Sequence, residues 1–136
     1  MRKVVVLASI TLLLSAWMLL RDVSTAVVAS ASTSRSGVTT QTIPADPSNL
    51  VVTEVTSSSI GIAWTDNSTD EDGFKIEQCA GANCTDFQWL ATMPANVTSI
   101  KQSGLAKNRT YKYRVQAYNS AGNSGYSNIA TGTTTR

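Results

Sequence analysis

The chain has 136 residues, of which 15% are charged, 7% are aromatic and none is histidine. Without histidine there is no Ser-His-Asp triad, no Cys-His pair and no His-ligated metal centre. The formal net charge of +2 is too small to act as an electrostatic footprint for nucleic acid, which is excluded as a partner.

The first segment reads as an export signal. Arg2 and Lys3 precede an uncharged run from Val4 to Leu20, closed by Arg21-Asp22. Small-residue cleavage candidates follow at Ser24-Thr25-Ala26 and Ala29-Ser30-Ala31. The alternative is an uncleaved hydrophobic helix, with residues 4–20 as the only membrane contact. At ~1.5 Å per residue that run spans roughly 26 Å, slightly short of a ~30 Å hydrocarbon core. Either way residues 1–31 form a signal peptide or anchor. The rest of the chain is expected outside the cytoplasm, secreted or membrane-anchored. Loss of Arg2, Lys3, Arg21 and Asp22 leaves eight basic and eight acidic residues, a formally neutral remainder.

Ser32 to Asp46 is rich in Ser and Thr, lacks apolar periodicity and is expected to be a flexible linker. Alternation of apolar and polar residues then dominates, and no stretch has a helical period. Leu50 and Val52 mark a first strand; Ile60, Ile62 and Trp64 a second; Phe74 and Ile76 a third. Phe87 and Leu90 mark a fourth, with a spacing that predicts a bulge. Val97 and Ile100 lie in a short fifth, and Tyr111, Tyr113, Val115 and Ala117 give the longest run. A last strand is expected from Tyr126 to Thr133. Turn-forming clusters separate these strands, among them Asp66 to Gly73 and Asn119 to Gly125. The expected fold is all-β, a seven-stranded antiparallel sandwich.

Pro47-x-x-Leu50, Ile60-x-Ile62-x-Trp64, Gly104-Leu105 and Tyr111-x-x-Arg114-Val115-x-Ala117-x-Asn119 together resemble a fibronectin type III domain. Trp64 to Glu77 and Cys79 to Phe87 resemble the bacterial branch of that family. The resemblance covers Pro47 to Thr134, with residues 135–136 as a tail, and implies an immunoglobulin-like sandwich. It implies that Trp64 is the core indole between the sheets. It also implies that Tyr111 bonds through its hydroxyl to backbone near Leu105. As a guide to function it is weak, because one fold hosts many roles.

Cys79 and Cys84 form a C-x4-C pair, which the family layout puts at a hairpin between the third and fourth strands. Export and an even count favour a disulfide over a redox pair or half a metal site. Asp66 to Gly73 is the densest acidic stretch, but it lacks the full calcium-loop pattern and is expected to be a solvated turn. Neither a metal nor a cofactor is expected. Lys75, Glu77, Lys112, Arg114 and Tyr118 should line the outer face of one sheet, with Trp89 exposed beside them. Such a face suits sugar stacking or a protein anchor. The competing arrangement is cross-strand pairing, Glu77 with Arg114 and Lys75 against Trp89. Asn119 to Gly125 is a second candidate surface, a loop that carries recognition in relatives. Four Asn-x-Ser/Thr sequons, at Asn67, Asn83, Asn96 and Asn108, matter only in a glycosylating host.

The expected function is an exported, non-catalytic binding or adhesion module for a cell-surface or extracellular protein or polysaccharide. Two alternatives accompany it. One is a structural subunit that self-assembles by adding Gly37 to Ile43 as a strand to a neighbour. The other is an accessory domain of a secreted polysaccharide-degrading system.

Overall fold

The computed structural model describes residues 40–136. The export segment of residues 1–31 and most of the expected linker lie outside them. Two antiparallel sheets face each other. The smaller has the order β1 (Ser48–Val55), β2 (Ser59–Thr65), β5 (Ser99–Ser103). The larger has the order β4 (Gln88–Pro94), β3 (Gly73–Ala80), β6 (Thr110–Asn119), β7 (Gly122–Tyr126), and β8 (Ala130–Thr133) also pairs with β6.

The period-two pattern explains this packing. In β6 every second residue is buried, and Tyr111, Tyr113, Val115 and Ala117 face inward. Phe74 and Ile76 from the neighbouring β3 join them on the same sheet, and Ile60, Ile62 and Trp64 from β2 meet this face across the gap. Trp64 packs edge-on against Phe74, with ring centroids 5.6 Å apart. The Tyr111 hydroxyl accepts a hydrogen bond from the Ala106 amide at 3.0 Å. The Leu105 amide donates to the Ser58 carbonyl at 3.0 Å, tying this crossing to the β1–β2 turn.

The bulge in β4 falls at Leu90. Ile76 faces Ala91 and Glu77 faces Trp89, so Leu90 has no opposite partner. The extra residue turns Leu90 and Ala91 inward together and sends Trp89 to the outer face.

Two expectations need correction. The first concerns Asn119 to Gly125, which is not a long loop. The turn is confined to its start, where Gly122 takes a φ of 148°, and β7 begins there. The last strand is broken at residues 127–129, so β7 and β8 together form one interrupted edge. Within β7 and at the break, serine side chains replace backbone acceptors. Ser124 Oγ accepts from the Ala117 amide at 2.9 Å, and Ser127 Oγ accepts from the Val115 amide at 3.0 Å.

The second concerns Gln41 to Asp46, which is not a free linker but a strap laid over one end of the sandwich. Asn119 Nδ2 donates to the Thr42 carbonyl at 2.7 Å, and Asn67 Nδ2 to the Asp46 carbonyl at 2.8 Å. The Gly125 amide donates to Asp46 Oδ1 at 2.6 Å, and Pro44 is buried. Side-chain amides thus satisfy a segment that has no strand partner.

Tyr113 supplies a pH-dependent tie between the sheets. Its hydroxyl donates to Gln102 Oε1 on β5 at 2.7 Å. Burial, and then the neighbouring Tyr111, raise its pKa well above the ordinary phenol value. The unfolded chain therefore loses this proton first. The stabilisation is fully present below the unfolded value of about 10 and is lost as pH rises toward the folded value. The urea midpoint should hold steady to about pH 9.5 and fall above about pH 10, less steeply in Tyr113→Phe. A wild-type midpoint unchanged to about pH 11 would count against this linkage.

Candidate binding site

The outer face of the larger sheet is built around Arg114. Its guanidinium lies 3.8 Å from the centroid of the Tyr126 ring and 4.4 Å from that of Phe87. Glu77, opposite Arg114 on β3, accepts from its Nε at 2.7 Å and lies 2.6 Å from its Nη2. The Tyr126 hydroxyl donates to the other Glu77 oxygen at 2.9 Å. Desolvation, and then this hydrogen bond, raise the Tyr126 pKa. Stacked rings and a two-sided carboxylate hold the guanidinium in one orientation, which a lone surface ion pair does not do.

Lys75 is not against Trp89. Its ammonium sits 4.9 Å over the Tyr118 ring and donates to Asn123 Oδ1 at 2.7 Å. The reason is the register: Lys75 faces Gln116 on β6 and Thr92 on β4, which directs its long stem toward β7. Tyr118 is therefore a covered aromatic. Lys112 stands opposite Cys79 and Thr131 on the same face.

Trp89 is 68% exposed, the largest such fraction among the exposed large hydrophobics. Its indole Nε1 donates to Thr92 Oγ1 at 3.3 Å, one pleat along the same strand, which restrains the ring. Beside it an open cavity of about 320 Å³ is lined by Gln78, Cys79, Ala80, Asp86, Gln88, Trp89 and Arg109. Cys79 and Cys84 are joined as a disulfide that closes the β3–β4 hairpin next to this cavity.

The other candidate surfaces are occupied. In the acidic turn, Asp66 Oδ1 accepts from the Ser68 amide at 3.0 Å, and Asp70 Oδ1 from the Ser68 hydroxyl at 2.7 Å. Glu71 is buried and accepts from the Asn96 amide at 3.2 Å. Among the described residues, one group of three metal-ligating side chains converges, Cys79, Cys84 and Asp86. Two of its members are spent in the disulfide. The β6–β7 turn lies under the strap, where Asn119 bonds both Thr42 and Asp70.

Sequence reasoning placed Trp89, Glu77 and Arg114 on one face but missed Tyr126 and Phe87. Tyr126 was expected at the start of the last strand, but with Gly122 to Gly125 read as a loop nothing set it beside Arg114. It also missed Asp86, Gln88 and Arg109, which come from separate segments that no spacing rule connects.

A family model for the fibronectin type III domain matches residues 45–133. A segment of an alpha-amylase from Niallia circulans is 40% identical over 95 residues, covering 67% of this chain and 7% of that protein. The chain therefore spans less than a tenth of that relative's length. A crystal structure of domains from titin superposes with a TM-score of 0.61 at 22% identity, covering 69% of this chain and 33% of that one. Chicken CNTN1 FN1–FN3 domains give 0.60 at 25% identity, covering 68% of this chain and 31% of that one. FN3tt gives 0.58 at 19% identity, covering 71% of this chain and 99% of that one. With its matched residues running from the strap to the end of β8, this chain belongs to the fibronectin type III family.

Proposed function

We propose that this chain is an exported, non-catalytic binding module that holds polysaccharide for a secreted degrading system. The observation that carries this reading is Trp89, a restrained and 68% exposed indole on the rigid outer sheet. A flat aromatic surface edged by polar groups matches the alternating apolar and hydroxylated faces of a sugar ring. The similarity to a segment of an alpha-amylase supports an α-glucan as the polymer. The export pattern in residues 1–31 and the Cys79–Cys84 disulfide support an oxidising, extracytoplasmic setting. The absence of histidine from the sequence and the engagement of Glu77 by Arg114 and Tyr126 support the non-catalytic reading. Assembly through a donated strand is less favoured, since Gln41 and Thr42 already bond to the domain's own Asp70.

The test is a depletion assay with the full chain as processed by a bacterial host. Protein should leave solution with granular starch and follow a saturable isotherm, and intact mass should show export cleavage and a two-hydrogen deficit. Failure to bind starch, cellulose or chitin, with cross-linking instead to a cell-surface protein, would replace this reading with an adhesion role.

A further inference from the structure

We infer that the cavity beside Trp89 is a subsite for one neutral hexopyranose unit, a reading that rests on the polysaccharide-binding function above. At about 320 Å³ it lies at the small end of ligand pockets, room for a single ring with its neighbours passing out of the open mouth.

The lining chemistry selects the ligand. Trp89 supplies a wall of indole for stacking. Asp86 carries two acceptor oxygens, Arg109 a fork of donors and Gln88 an amide of both kinds, whereas the Gln78 oxygen already accepts from Gln102. Vicinal hydroxyls, each at once donor and acceptor, are the groups that such a mixed set satisfies. Among the described residues the Asp86 carboxylate and the Arg109 guanidinium form no salt bridge, with each other or with anything else. One charge of each sign around one cavity disfavours both uronic acids and amino sugars.

The site is also held in place before any ligand arrives. Cys79, in the cavity lining, is locked to Cys84, two residues before Asp86. Trp89 is held by Thr92, and Gln78 is held from within by Gln102, whose amide donates to its oxygen. Such preorganisation lowers the ordering cost of binding. The cavity lies at the Ala80 end of β3, seven residues and about 23 Å of strand from Gly73, the end covered by the strap. A polymer at the cavity therefore does not meet the strap.

The experiment measures maltoheptaose binding to the full chain as processed by the host, by calorimetry and by tryptophan fluorescence. Trp89→Ala, Asp86→Asn and Arg109→Gln should each weaken it by about tenfold or more. Tyr118→Ala, on the Lys75 side of the sheet, should leave it within about twofold. Thermal melts confirm that every variant is folded. An oligogalacturonate of equal length should bind at least about tenfold more weakly. If Asp86→Asn and Arg109→Gln both bind as wild type while Trp89→Ala does not, the cavity assignment fails and the starch-binding function stands. Equal affinity for oligogalacturonate would overturn the neutral-ligand assignment. No binding of maltoheptaose or starch would overturn both readings.

Discussion

Phe74→Ala should destabilise the domain by about 3–5 kcal/mol, read as a fall in the urea midpoint at constant slope. Phe74 is fully buried and contributes the larger sheet's half of the aromatic contact with Trp64. Its neighbours cannot close over the gap. Ala117 and Met93 stand opposite it in two hydrogen-bonded ladders, so neither strand can move inward without breaking register. The Trp64 Nε1 is already buried without a hydrogen-bond partner, and the truncation takes away its ring contact as well. Against a typical domain stability of about 5–15 kcal/mol, a loss of this size brings the chain near its unfolding threshold. Trp89→Ala is the internal control. It removes a larger ring, but from the solvent side of the bulge, so stability should change by only about 0.5 kcal/mol. Equal effects from the two substitutions would mean that the inside and outside of the larger sheet are assigned wrongly.

That contrast was legible in the sequence for a simple reason. Where one face of a strand is buried and the other is wet, burial writes itself as a period of two. Tyr111 to Ala117 and Ile60 to Trp64 therefore declare their strands and their inward faces. The bulge was expected from the Phe87-to-Leu90 spacing, but Phe87 lies before β4 against Arg114 on the outer face, and the extra residue falls at Leu90, between Trp89 and Ala91. β7 was illegible because Gly122 to Tyr126 buries almost nothing apolar, and its ladder runs partly through serine hydroxyls. Small polar residues look like a turn whether or not they pair. The strap was hidden for the same reason, since side-chain amides from Asn67 and Asn119 hold it. The candidate subsite was illegible in a different way. Gln78 and Asp86 sit on opposite sides of a hairpin, and Arg109 reaches the same place only because β6 lies beside β3. Convergence of that kind is a property of topology, which local pattern does not carry.

Opening the Cys79–Cys84 disulfide, by reduction or by the double alanine variant, should cost about 2 kcal/mol of stability. The bridge closes a loop of only six residues, so the chain-entropy contribution is near the small end for disulfides. Wild type with reductant and the double alanine variant without it should shift by similar amounts, and reductant should not shift the variant further. A Cys79→Ser variant should lose more than Cys79→Ala, because residue 79 is buried and a hydroxyl there gains no evident partner. Binding separates two roles of the bridge. If it acts only on the unfolded chain, reduced protein that remains folded keeps its affinity for maltoheptaose, because the β3–β4 register alone holds Trp89 opposite Glu77. Asp86 lies outside that ladder, beyond Gln88, the last paired residue of β4, and no strand hydrogen bond positions it. The expected result is therefore a loss of affinity on reduction that matches the Asp86→Asn variant and is absent when that variant is itself reduced. A reduced wild-type domain with full affinity would assign the disulfide to stability alone.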